Sequence, residues 1–119
     1  MAKPGKVGAA RIIDAMKYSQ QGLKAQWQHE AAFRQEVLLL LLAIPLAVWL
    51  GDSRLEQALM IFSASLVVIV ETLNSSIEAA IDRIGSEHHE LSGRAKDLGS
   101  AAVMLSLVLA ATVWGVLLF

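Results

Sequence analysis

LGSAAVMLSLVLAATVWGVLLF, residues 98–119, runs for 22 residues without a charged side chain. About 20 apolar residues suffice for a helix to cross a bilayer, so this stretch makes lipid the solvent of the fold. Two further apolar runs precede it. VLLLLLAIPLAVWLG (37–51) carries no charge and is lengthened by Ala31, Ala32 and Phe33; QALMIFSASLVVIV (57–70) continues past Glu71 with helical periodicity. Either run alone would suit a core helix of a soluble protein. Three together in 119 residues, with 55% hydrophobic and only 6% aromatic content, would not. A water-soluble domain this small has too little interior to hide that much apolar surface. Backbone satisfaction in lipid leaves helices or closed barrels, and these Leu- and Ala-rich runs show no strand alternation. The chain therefore reads as an all-α integral membrane protein with three transmembrane helices. Pro45 should kink the first span rather than end it.

Working outward, residues 7–28 place Ile12, Met16, Leu23 and Trp27 near one helical face, with Lys17 and Lys24 elsewhere. That pattern suits an amphipathic helix in the membrane interface, with Gly22 as a bend; a soluble helix packed on the others has the same pattern. The expected organisation is one membrane domain, 1–119, with an interfacial helix at 1–28 and spans at 30–51, 55–84 and 96–119. No secretory apolar core precedes the first span, so no signal peptide is expected. Lys3, Lys6, Arg11, Lys17, Lys24 and Arg34 lie before the first span, and Arg83, Arg94 and Lys96 lie between the second and third. The connection between the first two holds only Arg54. Positive residues stay inside, which predicts a cytoplasmic N-terminus and a C-terminus on the far side of the membrane. A net charge of -1 gives no sign of nucleic-acid binding, and the absence of cysteine excludes disulfide and thiolate chemistry.

The second span is interrupted by acids. In VIVETLNSSIEAAIDRIG (68–85), Glu71, Glu78 and Asp82 are spaced i, i+7 and i+11, within about 40° of one another on a helix, and Asn74 lies about 60° to one side. Lys96 and Asp97 begin the third span, and Glu30, Arg34 and Glu36 flank the start of the first, so three segments bring charge to one layer at the inner boundary. Arg83, Glu87, Glu90 and Arg94 are explained by snorkelling at helix ends. Glu71, short-stemmed and preceded by LVVIV, is not, and an ionisable residue at such a place is a functional candidate. Two carboxylates and an amide suit Mg²⁺ with phosphate oxygens, a further carboxylate could accept a hydroxyl proton, and Lys96 could lie against phosphate. This is the chemistry of phosphoryl transfer. GRAKDLGS is not a Walker P-loop, His29, His88 and His89 lack metal-pair spacing, and there is no G-x-S-x-G elbow.

EAAFRQE (30–36), ETLNSSIEAAIDRIGSEHHELSGRAKDLGSAAV (71–103) and the three-span layout closely resemble the prokaryotic integral-membrane diacylglycerol kinases. The similarity runs from Arg11 onward, and E-x-x-N-S-x-I-E-x-x-x-D followed by A-K-D-x-G-S-A-A-V is a long, specific signature. The resemblance implies a homotrimer with active sites shared between subunits. It also implies phosphorylation of diacylglycerol by ATP with Mg²⁺. Glu71 matches the general base, with Asn74 supporting the cluster; Glu30 and Glu78 match the carboxylates of Mg²⁺-ATP. Arg11, Tyr18, Glu87, His88, His89, Lys96 and Asp97 match nucleotide contacts. Arg11, Ser19, Lys24, Trp27, Arg34, Gln35, Glu36, Trp49, Glu71 and Ser100 match substrate-facing positions. Before residue 28 the match is one of outline only. Undecaprenol kinases share the fold, and EHHELSGRAKDLGS leans toward diacylglycerol. Rival classes are a proton-coupled exporter, whose site would sit nearer midplane, and a non-enzymatic assembly subunit indifferent to Glu71→Gln.

Overall fold

The computed structural model describes Gly5, residues 7–85 and residues 87–119. Lys3 and Lys6 of the basic N-terminal segment and Ser86 of the quoted motif lie outside the described residues. Four helices follow in order: α1 (Ala9–His29), α2 (Ala31–Leu50), α3 (Arg54–Ile84) and α4 (Glu90–Leu118). They fall into two compact units, residues 1–31 and 32–119.

In the first unit, α1 begins after Gly8, whose φ of 64° suits glycine better than any residue with a side chain. It continues unbroken through Gly22. It ends where Glu30 turns extended and its N–H still donates to the Gln26 carbonyl at 3.0 Å. Ile12, Met16, Leu23 and Trp27 all stand exposed on it.

The second unit is a three-helix assembly whose helices are each long and apolar enough to cross a membrane. Pro45 lies inside α2 without ending it, because helical Pro withholds one N–H but leaves the later turns intact. The turn into α3 is closed by side chains. Ser53 Oγ accepts from the Glu56 N–H at 3.1 Å, and Glu56 Oε2 accepts from the Asp52 N–H at 2.9 Å. These bonds satisfy N–H groups that the helix start would otherwise leave orphaned. Gln57 Nε2 reaches back to the carbonyls of Val48 and Gly51, at 3.3 and 3.2 Å, tying α3 to the end of α2. A Cβ at Gly51 would meet Gln57 Cγ at 2.7 Å, so the turn needs glycine for closeness of approach.

The buried residues of α3 are Met60, Ser63, Val67, Glu71 and Asn74. Steps of three and four keep them on one face, and α4 packs antiparallel beside α3. The pairing is marked at three heights: Trp114 with Met60, Gly99 with Asn74, and Lys96 with Asp82. Trp114 Nε1 donates to the Met60 carbonyl at 3.0 Å, which gives a half-buried indole its partner. Outward, Leu38, Leu41, Phe62, Leu73, Leu105 and Val108 are exposed; a sleeve of such side chains is what acyl chains solvate.

At 31 residues α3 is about 46 Å long, longer than a hydrocarbon core of about 30 Å. Its ends must therefore leave the core. Helix α4 begins at Glu90, ahead of its apolar run, because His89 Nδ1 accepts from the Leu91 N–H at 3.1 Å and caps it there. Glu90 then sits in the first turn, favoured by the helix dipole, and pairs with Arg94 at 3.4 Å.

Candidate active site

Burial sorts the polar residues of α3 into two groups. Glu71 and Asn74 retain only 7% and 8% of their accessible surface, sharing the face that Met60, Ser63 and Val67 turn inward. Glu78 and Asp82, one and two turns beyond, are exposed. A carboxyl inside an apolar bundle is expensive to charge, so the position of Glu71 demands polar company. It has it: the Glu36 carboxyl on α2 lies beside that of Glu71, in hydrogen-bonding reach. Glu36 Oε2 is itself buried with no hydrogen-bond partner among the described residues.

Toward the C-terminal end of α3, Asn74 Nδ2 donates to Glu78 Oε1 at 3.3 Å. The inward amide thus holds the outward carboxylate. Still further along, Lys96 Nζ donates to Asp82 Oδ1 at 2.8 Å, joining α4 to α3. Beside this pair opens a mixed polar cleft of about 400 Å³, with Glu87, His88, His89 and Lys96 in its wall. A neighbouring cleft of about 370 Å³ takes in Asp97 and Arg94 together with the same two histidines. An apolar groove of about 280 Å³ runs between α2, α3 and α4. Leu39, Leu46, Val67, Leu107 and Trp114 line it, and Glu36 brings a carboxyl to its wall.

The second unit therefore carries a buried carboxyl pair, an apolar groove that reaches Glu36 of that pair, and polar clefts farther along α3 and α4. Similarity to known proteins gives that arrangement a family. The model of the prokaryotic diacylglycerol kinase family matches residues 17–118. The diacylglycerol kinase of Escherichia coli (strain K12) is 55% identical over 112 residues, which are 94% of this chain and 92% of that protein. Those of Haemophilus influenzae and Pseudomonas aeruginosa are 50% and 48% identical, over 94% and 96% of this chain and 95% and 93% of their own.

The chain belongs to the prokaryotic diacylglycerol kinase family. It is a kinase, a membrane phosphotransferase of lipid metabolism.

Within this family member, the candidate residues predicted from sequence fall into three sets. Glu36 with Glu71, and Asn74 with Glu78, form two pairs that neighbour one another along α3 in the second unit. Glu87, His88, His89, Lys96 and Asp97 gather around the two adjoining polar clefts. The third set is the remaining candidates. Trp49 is exposed near the other end of α2, about 20 Å along the helix from Glu36. Ser100 is exposed on α4, Gln35 is exposed on α2, and Arg34 is half-buried one residue earlier. Arg11, Tyr18, Ser19, Lys24, Trp27 and Glu30 all belong to the first unit. There Tyr18 is half-buried, Glu30 caps the end of α1, and the Ser19 hydroxyl donates to the Ala15 carbonyl at 2.8 Å.

No three or more His, Asp or Glu side chains among the described residues gather into a metal cage. Mg²⁺ needs no such cage, being held by one or two carboxylates with water and substrate phosphates. Glu78, exposed and oriented by an amide, fits that use. Two participants escaped the sequence reading of the site. Asp82 was visible on the acidic face, but its pairing with Lys96 spans 14 residues and a helix reversal. Gly99 stands within the A-K-D-x-G-S-A-A-V signature, but a motif position does not say which side chain it faces.

Proposed function

We propose that the protein transfers the γ-phosphoryl group of Mg²⁺-ATP to the primary hydroxyl of diacylglycerol, giving phosphatidic acid and ADP. The observation that carries this reading is the buried Glu71 beside Glu36, whose carboxyl reaches the wall of the apolar groove, with the amide-held Glu78 two turns farther along α3. A lipid hydroxyl arriving along the groove would meet the Glu36–Glu71 carboxyl pair. Glu71, ionised, takes the hydroxyl proton as the oxygen forms its bond to the γ-phosphorus and the bond to the β–γ bridging oxygen breaks. General-base assistance of this kind is worth about 10²- to 10⁴-fold in rate.

Phosphoryl transfer otherwise depends on positioning and on neutralising charge. Mg²⁺, when bound with the nucleotide, would supply part of that neutralisation. Glu78 and Glu30 are the carboxylates that would hold it, Glu30 by family resemblance. Asn74 keeps Glu78 oriented. Lys96 and Asp97, with Arg11, Tyr18, Glu87, His88 and His89, bind the nucleotide. Ser19, Lys24, Trp27, Arg34, Gln35, Glu36, Trp49 and Ser100 face the lipid. The N-terminal helix lies in the cytoplasmic interface of the inner membrane, the N-terminus is cytoplasmic, and the C-terminus is on the opposite side. Three copies assemble, with active sites shared between neighbours, which lets so short a chain supply enough ligands.

Purified protein assayed in mixed micelles with labelled Mg²⁺-ATP, against diacylglycerol and a polyprenol, tests the substrate. Phosphatidic acid should be the main product; a strong preference for the polyprenol would overturn it. Proton-driven uptake with no ATP consumption would overturn the kinase reading altogether.

A further inference from the structure

Asn74 Nδ2 donates to Glu78 at 3.3 Å, while its Oδ1 is buried with no hydrogen-bond partner among the described residues and faces Gly99 on α4. A Cβ at Gly99 would overlap Asn74 Oδ1 and stand 3.3 Å from Asn74 Cγ. The next nearest atom would be Ile77 Cδ1, at 3.8 Å, an ordinary contact. The space left by the missing side chain is thus taken up by one amide. A Cβ added to Gly93 or Gly115 on the same helix would meet nothing within 4 Å, so closeness of approach is particular to Gly99 among the glycines of α4.

We propose that Gly99 is a positioning residue for phosphoryl transfer: by carrying no side chain, it seats the Asn74 amide so that Nδ2 points at the Glu78 carboxylate. A residue with a Cβ would push Asn74 out of this rotamer. The amide is on a buried face, where packed neighbours leave few alternative rotamers. Glu78 would then lose its orienting donor while keeping its charge. The inference rests on the reading of Glu78 as a Mg²⁺-ATP carboxylate.

The test is a double-mutant cycle with Gly99→Ala, Asn74→Ala and the pair combined, alongside Glu78→Gln. Kinetics are measured on the folded fraction recovered by gel filtration, with Mg²⁺-ATP varied at saturating diacylglycerol. Hydrogen bonds to charged groups are strong enough that each single change should lower kcat/KM for Mg²⁺-ATP by about 10-fold, mainly through KM. Because both act on one contact, the double variant should lose no more than about twofold beyond Asn74→Ala. Losses that multiply, or a Gly99→Ala enzyme with the parent KM and merely less folded protein, would overturn the proposal. If Gly99→Ala does not fold, the double variant decides: folding with Asn74→Ala kinetics supports the assignment, and failure to fold overturns it. Unchanged Mg²⁺-ATP dependence in Glu78→Gln would sink the metal-carboxylate reading. Non-additivity between Gly99 and Asn74 would survive that result.

Discussion

Glu71 and Glu78 are chemically the same side chain, and their environments suit them to different work in the proposed reaction. Glu71 is buried against the Glu36 carboxyl, whereas Glu78 is exposed and held by an amide. Glu71→Gln is therefore expected to remove turnover by about 10²-fold or more, with Mg²⁺-ATP binding retained by titration calorimetry. Glu78→Gln is expected to raise the Mg²⁺ and ATP concentrations needed for half-maximal rate. Identical behaviour of the two variants would refute the division of roles. Lys96 pairs with Asp82 at an exposed site, where solvent screens the attraction and stability depends little on it. Lys96→Met should leave the thermal midpoint nearly unchanged and raise KM for ATP several-fold. A large loss of stability with unchanged KM would make the lysine structural.

At the scale of elements, the hairpin of α2 and α3 is set by its turn, and that of α3 and α4 by side-chain contacts along its length. Ser53→Ala removes the acceptor for the Glu56 N–H and is expected to cost about 1 kcal/mol, read as a lowered unfolding midpoint in detergent. Trp114→Phe keeps most of the ring but loses the bond to the Met60 carbonyl, a loss of about 1 kcal/mol with activity retained. Much of this level was legible in advance. Charge-free runs announce helices in lipid. The start of α4 was less so. Apolar composition marks where a helix enters the membrane, whereas its N-terminus was decided several residues earlier by a histidine cap.

At the scale of the molecule, the exposed leucines of α2 and α4 and the apolar groove beside Glu36 require lipid or further copies of the chain around them. The proposed trimer predicts that light scattering in detergent, corrected for the micelle, gives three times the chain mass of 12.8 kDa. A monomer with full activity would refute both the trimer and the shared sites. By itself the sequence determined the membrane class, the number of spans, the acidic face of the second span and the family, because hydropathy and helical period are local properties read along the chain. It did not determine that Asn74 faces inward with Glu71, that Asp82 takes Lys96, or that Gly99 makes room for an amide. Those are contacts across antiparallel helices. Their register depends on side-chain volumes meeting at each height, and so only the packed structure decides them.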